Sequence, residues 1–239
     1  EGWVGNLDAI DGSGVFKSTD WGSTWTNITP LSGTELNPDF SAVSRAVVDP
    51  TDAKILVVST SDKIYRTSDG GTTWSQVYAG AWTVMHVIAA KSDFNIQYAA
   101  VKNEGIIKSD DGGLTWTVTG SFPVNSNARI EIAASRTDPN KVYAGVAGGG
   151  LVATNDGGTT WNSIPDNTGW LSGQGWYDNI ITVNPYVDTI IYVGGVDLWK
   201  FTVNFTTNTK TDIRVSDAYN GSINGFGWTN GVHPDQQFI

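Results

Sequence analysis

The sequence contains no cysteine, so no disulfide framework can hold the chain together and its stability must come from a packed core. With 239 residues, 39% of them hydrophobic, it is long enough to bury such a core without covalent staples, and the absence of cysteine leaves secretion open. Charge is sparse and one-sided. Charged residues make up 16% of the chain, with 14 Lys and Arg against 24 Asp and Glu, for a net charge of −10. Nucleic acid is thereby excluded as a partner class, because binding it needs a basic face to neutralise phosphates. The acidity serves solubility instead. No run of about 18 apolar residues is present to span a membrane as a helix, and no stretch of about 11 residues keeps a helical period. Methionine occurs once, at Met85, and the chain opens on Glu1. That start is expected of a processed or excised segment whose signal peptide is already gone.

What is abundant is glycine, with 28, and tryptophan, with 11, a composition suited to a turn-rich all-β protein. Many of these residues fall in one frame, Ser/Thr-x-Asp-x-Gly-x-Thr-Trp, written four times. The copies are Ser18-Thr19-Asp20-Trp21-Gly22-Ser23-Thr24-Trp25, Thr67-Ser68-Asp69-Gly70-Gly71-Thr72-Thr73-Trp74, Ser109-Asp110-Asp111-Gly112-Gly113-Leu114-Thr115-Trp116 and Thr154-Asn155-Asp156-Gly157-Gly158-Thr159-Thr160-Trp161. The tryptophans Trp25, Trp74, Trp116 and Trp161 are spaced by 49, 42 and 45 residues. A period of about 40–50 residues carrying only strand and turn signals predicts a β-propeller.

The chemistry of the frame is that of a hairpin turn. Asp20, Asp69, Asp111 and Asp156 can accept bonds from backbone N–H groups one or two residues on. Gly22, Gly71, Gly113 and Gly158 permit positive φ. Thr and Trp resume a strand, and Trp supplies the apolar surface that holds the hairpin to its neighbour. One carboxylate per copy is too few for calcium, so no metal is expected there. A second turn, Asp-Pro or Asn-Pro, recurs at Asp49-Pro50, Asp138-Pro139 and Asn184-Pro185, with Ser92-Asp93-Phe94-Asn95 as its proline-free copy. Two hairpin turns per period predict four antiparallel strands, one propeller blade.

The frame resembles the Asp-box, or bacterial neuraminidase repeat, found in sialidases, xyloglucan-hydrolysing glycosidases, the sortilin ectodomain and secreted bacterial propellers. That likeness implies boxes at the blade rim, away from the ligand face; the lack of cysteine speaks against the sortilin group, which carries a cysteine-rich module. Complete blades are expected over residues 40–80, 81–121, 127–166 and 176–216, the last without a box. Residues 1–30 supply part of a fifth, which 225–239 could complete as a ring sealed by the chain's two ends. The alternative, preferred here, is that the chain is a piece of a larger propeller of six to eight blades.

A propeller's ligand face is built from the starts of its inner strands and the loops leading to them. Here those loops carry aromatics that turns do not need: Trp82 with His86, Arg129 with Glu131, Trp170 with Trp176, Tyr177 and Asp178, and Trp228 ahead of His233 and Asp235. The stretch Gly173-Gln174-Gly175-Trp176-Tyr177-Asp178, together with Tyr192-Val193-Gly194-Gly195-Val196 and Val232-His233-Pro234-Asp235-Gln236, resembles secreted bacterial propeller proteins that often bear a C-terminal sorting domain. In that group a second His follows the last motif, where this chain has Gln237. Inverting glycosidases need two carboxylates about 6.5–9.5 Å apart, and Asp178, Asp235 and Glu131 are the candidates. Trp82, Trp170, Trp176 and Trp228 are candidates for stacking on sugar rings, with Tyr177, His86, Arg129 and His233 as polar partners. Equally, such carboxylates can bond inner-loop amides and such tryptophans can fill gaps between blades.

Two enzyme classes can be tested against residues. A sialidase needs three central arginines, but of Arg45, Arg66, Arg129, Arg136 and Arg214, Arg66 adjoins a box and Arg136 an outer turn, and Arg129-Ile130 is followed by Glu131 rather than Pro. The xyloglucan-hydrolase likeness keeps the repeat, the acidity and the aromatics but lacks that family's Gly-Asp-rich catalytic segments. His86 and His233 fall in different blades without ligand spacing, so no metal is expected, and no cofactor. No Gly-x-Ser-x-Gly elbow is present. The first reading is therefore a secreted or cell-surface bacterial propeller that binds polysaccharide or extracellular protein without catalysis. Its rival is an inverting, xyloglucanase-like glycoside hydrolase or a fragment of one. Fold alone cannot decide between them.

Overall fold

The computed structural model describes residues 12–148, 150–171 and 173–216, and the backbone of 222–223 and 226–227. The chain divides into two compact units, residues 1–84 and 85–239. Among the described residues, apart from one 3-10 turn, Pro38–Ser41, every regular element is a strand.

The first unit opens with two short hairpins. Strand β1 (Phe16–Lys17) pairs with β2 (Thr26–Asn27), and β3 (Leu31–Ser32) with β4 (Glu35–Leu36), both antiparallel. A four-stranded antiparallel sheet follows in sequence order: β5 (Arg45–Val48), β6 (Leu56–Ser59), β7 (Lys63–Thr67) and β8 (Ser75–Ala79). All four residues of β6 are buried, as expected of a Leu-Val-Val run in the middle of a covered sheet. Phe40, from the 3-10 turn, packs its ring on Tyr65 and Trp74 at centroid distances of 4.8 and 5.5 Å.

Among its described residues the second unit repeats the four-stranded pattern three times. The sheets are β9 (Val84–Ala90) to β12 (Thr117–Val118), β13 (Ile130–Ala134) to β16 (Asn162–Ile164), and β17 (Ile180–Val183) to β20 (Thr209–Arg214). Between them run β10 (Asp93–Val101), β11 (Gly105–Ser109), β14 (Val142–Val146), β15 (Gly150–Thr154), β18 (Ile190–Gly194) and β19 (Leu198–Asn204). A further two-residue pair joins β21 (Ser222–Ile223) with β22 (Phe226–Gly227). Each four-stranded sheet takes its strands in chain order, so β9, β13 and β17 are all edge strands. The core lies between successive sheets, where Ile130, Ile132, Val142 and Val152 meet Tyr98 and Ile106. This is the four-stranded antiparallel blade of a β-propeller, as the period predicts.

The boxes are turns, but their bonding differs in detail from the expected pattern. The Asp carboxylate reaches four residues on rather than one or two: Asp69 accepts from the Thr73 N–H at 2.9 Å and its hydroxyl at 2.6 Å. Asp20 with Thr24, Asp111 with Thr115 and Asp156 with Thr160 do the same. The near amides go to the Ser/Thr that opens each box, as Gly71 N–H does to the Thr67 hydroxyl at 3.0 Å. A hydroxyl two residues before the Asp already sits over those amides, so the longer-reaching carboxylate is left to close the far end of the turn. Gly71 has φ of +94°, and a Cβ there would lie 2.6 Å from that of Ile28. Glycine is required by both counts. Trp74 and Trp161 act as expected of a clamp, donating to Ile28 O at 2.8 Å and to the Thr119 hydroxyl at 3.0 Å. Trp116 is half-buried, whereas Trp25, 62% exposed, bonds only its own turn at Gly22 O.

These bonds should make the fold acid-sensitive. The Thr73 hydroxyl and N–H hold the Asp69 carboxyl down at about 2, and Thr24 does the same for Asp20. Burial pushes Asp111 up, but Thr115 and Ser109 outweigh it and leave that group at about 2 as well. A carboxyl whose folded pKa lies below its unfolded value contributes stability above the unfolded value, about 3.9, and loses it as pH falls toward the folded one. The denaturant midpoint should therefore be level above about pH 5 and fall between about pH 4 and 2. Asp111→Asn should lower the midpoint at neutral pH and flatten that acid slope. A midpoint indifferent to pH from 5 to 2 would remove the boxes from the stability account.

Candidate functional site

Five of the residues singled out by sequence converge in the second unit. His86 lies near the start of β9, Arg129 and Glu131 at the start of β13, and Trp176 and Tyr177 in the loop before β17. Glu131 is 5% exposed and joins the first two strands. Its Oε1 accepts from Arg129 Nε at 3.1 Å and Nη2 at 2.9 Å, a two-pronged contact, while Oε2 lies 2.9 Å from His86 Nδ1. The remaining arm of the guanidinium crosses to the loop before β17, where Nη1 donates to the carbonyls of Trp176 and Tyr177. One arginine thus ties the aromatic loop to the neighbouring sheet.

The His86 nitrogen has two suitors. Ile132 N–H lies 3.1 Å from Nδ1, in addition to the Glu131 carboxylate. β13 is an edge strand, so its outward N–H has no ladder partner and meets the imidazole instead. Unprotonated, Nδ1 accepts from Ile132; protonated, it donates to Glu131.

The aromatic candidates separate into exposed and buried. Trp176 is 66% exposed, with the half-buried Tyr177 ring 5.6 Å away and tilted 44°. It stands at the rim of a cleft of about 540 Å³ whose walls include Gly148, Gly169, Gly173, Pro165 and Asp166. At Gly148, Gly169 and Gly173 nothing lies within 4 Å of where a Cβ would be, so this wall is open to a flat ligand. Trp170, expected to stack on sugar, is instead a core residue. It is 2% exposed, its ring edge-on to Phe201 at 6.3 Å and wedged over Gly145. Gly145 leaves the space that the indole fills and Gly195 lets the backbone at Trp170 pass close by, so burial of its large apolar surface wins over display. Trp82 belongs to the first unit, in the turn after β8, and is exposed.

Asp178 is fully buried, its backbone N–H bonded to Gln174 O at 2.9 Å. Neither Asp178 nor Glu131 therefore faces a space that could hold a glycosidic bond and an attacking water. Asp235, Trp228 and His233 lie outside the described residues. Sequence reasoning passed over Asp166, whose carboxylate pairs with Lys210 at 3.0 Å and accepts from the Thr168 hydroxyl at 2.8 Å. Burial pushes this carboxyl up, but Lys210 and Thr168 outweigh it and hold it below its ordinary value. The Lys210 ammonium sits 4.0 Å from the Phe201 ring centroid, a cation–π contact. No local signal marks this pair, because its members come from different sheets. Among the described residues no group of three or more His, Cys, Asp or Glu is placed to hold a metal ion.

Fold and site together define a β-propeller protein with an aromatic cleft at the inner-strand starts of its second unit. Comparison with known proteins finds similarity to xyloglucanases over part of the chain. A xyloglucanase of Acetivibrio thermocellus is 31% identical over 149 residues, covering 51% of this chain and 17% of the relative. A xyloglucanase of a Paenibacillus species is 30% identical over 137 residues, covering 46% and 13%. The aligned segment is thus about a sixth of the first relative's length or less. Among solved structures, the GH74 xyloglucanase of Xanthomonas campestris superposes with a TM-score of 0.64 at 13% identity, over 84% of this chain and 36% of that one. The GH74 enzyme of Niastella koreensis gives 0.59 at 19% identity, over 86% and 34%. These similarities support a glycosidase-like propeller. No family model matches the chain.

Proposed function

We propose that this chain is a propeller segment of an extracellular bacterial glycoside hydrolase of the xyloglucanase type, and that its cleft beside Trp176 grips the polysaccharide. The observation that carries the reading is the 31% identity to a xyloglucanase across 149 residues. The four boxes, read as Asp-boxes, fit the same family. In this reading Trp176 offers its face to a sugar ring and Tyr177 flanks it. Arg129 holds the loop in place, and Asp166, which also lines the cleft, accepts from sugar hydroxyls. Inverting hydrolysis needs an acid and a base carboxylate with a water between them. Buried Glu131 and Asp178 are unsuited to that pair; Asp235 and residues of a longer chain remain for it.

The burial of those two carboxylates favours a second reading, a non-enzymatic polysaccharide-binding module. Reducing-end release from xyloglucan, measured beside direct binding, separates the two. A hydrolase whose carboxylate pair lies within this chain should release reducing ends, and Trp176→Ala should raise KM about two- to tenfold through loss of a stacking face worth about 0.5–1.5 kcal/mol. Binding without release, weakened in the same variant, would show that this chain by itself grips polysaccharide without cleaving it. Neither binding nor release would end the polysaccharide reading.

A further inference from the structure

A second cleft in the same unit is independent of the aromatic one. It measures about 260 Å³ and runs along the three inner strands, with apolar walls from Ile88 of β9, Ile132 of β13 and Val183 of β17. That is smaller than the roughly 300 Å³ at which drug-sized pockets begin, so it suits a molecule no larger than a monosaccharide. The strands run the same way past it. His86 lines one end, and the residues just past β9 and β13, Lys91 and Arg136, line the other.

The charges of that far end are unbalanced. In the second unit Lys108, Arg129, Lys141, Lys210 and Arg214 are each matched to a carboxylate. Lys91 and Arg136 have no hydrogen bond or ion pair among the described residues, and no carboxylate lines the cleft. The acids that follow in the same turns are committed to closing them: Asp93 accepts from the N–H and side-chain amide of Asn95, and Asp138 from the N–H of Asn140. In a chain of net charge −10, two unmatched cations at one cleft create a local site of the opposite sign. A guanidinium beside an ammonium suits an oxyanion, which the first grips as a fork and the second as a point charge.

We propose that this cleft is a binding site for a small oxyanion, its charged group held between Lys91 and Arg136 and any apolar body lying along Ile88, Ile132 and Val183. The carboxylate of an acidic monosaccharide and free inorganic phosphate both present this chemistry. The test is calorimetric titration of the 239-residue chain at low ionic strength with glucuronate and, separately, inorganic phosphate. At least one probe should bind saturably, and both Arg136→Gln and Lys91→Gln should weaken it about tenfold, the loss of one charge-assisted bond. Both residues are exposed, so the variants should fold as the parent does. Lys102→Gln, a half-buried lysine outside the cleft lining, should leave the affinity unchanged. Tighter binding of glucuronate identifies a sugar acid as the occupant, and tighter binding of phosphate identifies a free oxyanion. Absence of saturable binding by both probes, or an equal loss in Lys102→Gln, overturns the site.

Discussion

Replacement of Trp170 by Ala should lower the stability of the second unit by about 3–5 kcal/mol, the largest effect expected of any single side chain in it. The indole is among the largest fully buried side chains and belongs to the cluster of Tyr143, Leu151, Ile191, Val193 and Phe201. Its site is fixed from several sides. A Cβ on Gly195 would lie 2.3 Å from Trp170 O, and one on Gly145 would lie 2.9 Å from the ring. The backbone around the indole therefore cannot close in on the space left by truncation, and a cavity that cannot collapse costs most. Trp170→Phe should recover part of the loss by refilling part of the volume. Chemical denaturation of the variants measures both. A midpoint shift equivalent to less than about 1 kcal/mol for the Ala variant would place the ring outside the core and return it to the candidate sugar-stacking residues.

Arg129→Ala should cost about 2–3 kcal/mol and weaken polysaccharide binding about tenfold. The stability figure lies below the 3–5 kcal/mol typical of a broken buried pair because the arginine side chain is 30% exposed and partly screened. The binding figure has a separate source. Arg129 holds the carbonyls of Trp176 and Tyr177, so its removal frees the loop that presents the aromatic face. Arg129→Lys separates the two effects: it keeps the charge beside Glu131 but cannot fork to the carboxylate and reach the loop together. Adding Glu131→Gln to Arg129→Met should restore much of the stability without restoring binding, since it removes the buried charge but not the loss of the tie. Equal recovery of both properties would show that the loop does not depend on Arg129.

The architecture was legible because its signals are local. Asp69, Gly71, Thr73 and Trp74 sit within six residues, and each does its turn chemistry with the others. The same frame four times at a near-constant period left little choice but repeated antiparallel blades. What the frame did not reveal is which amide each Asp takes, since that depends on the hydroxyl that reaches the nearer ones first.

The site was legible only as a list of residue types at strand starts. Of that list, His86, Arg129, Glu131, Trp176 and Tyr177 meet, yet Glu131 turns out to hold an arginine and an imidazole rather than face a substrate. Trp170 and Trp176 are six positions apart in one loop with the same local pattern, and one is core while the other is surface.

The sequence by itself determined the blade, the turns that define it and the end of the strands where aromatics gather, because these follow from neighbours within a few residues. Only the tertiary structure decided which side chains are buried, which charges are matched and which are left over. Trp170 is fixed by glycines 25 residues before and after it, and the Asp166–Lys210 pair joins separate sheets. Lys91 and Arg136 meet in one cleft though 45 residues apart. Burial and charge balance are properties of what packs across the gap between sheets, and no local pattern in the chain encodes that.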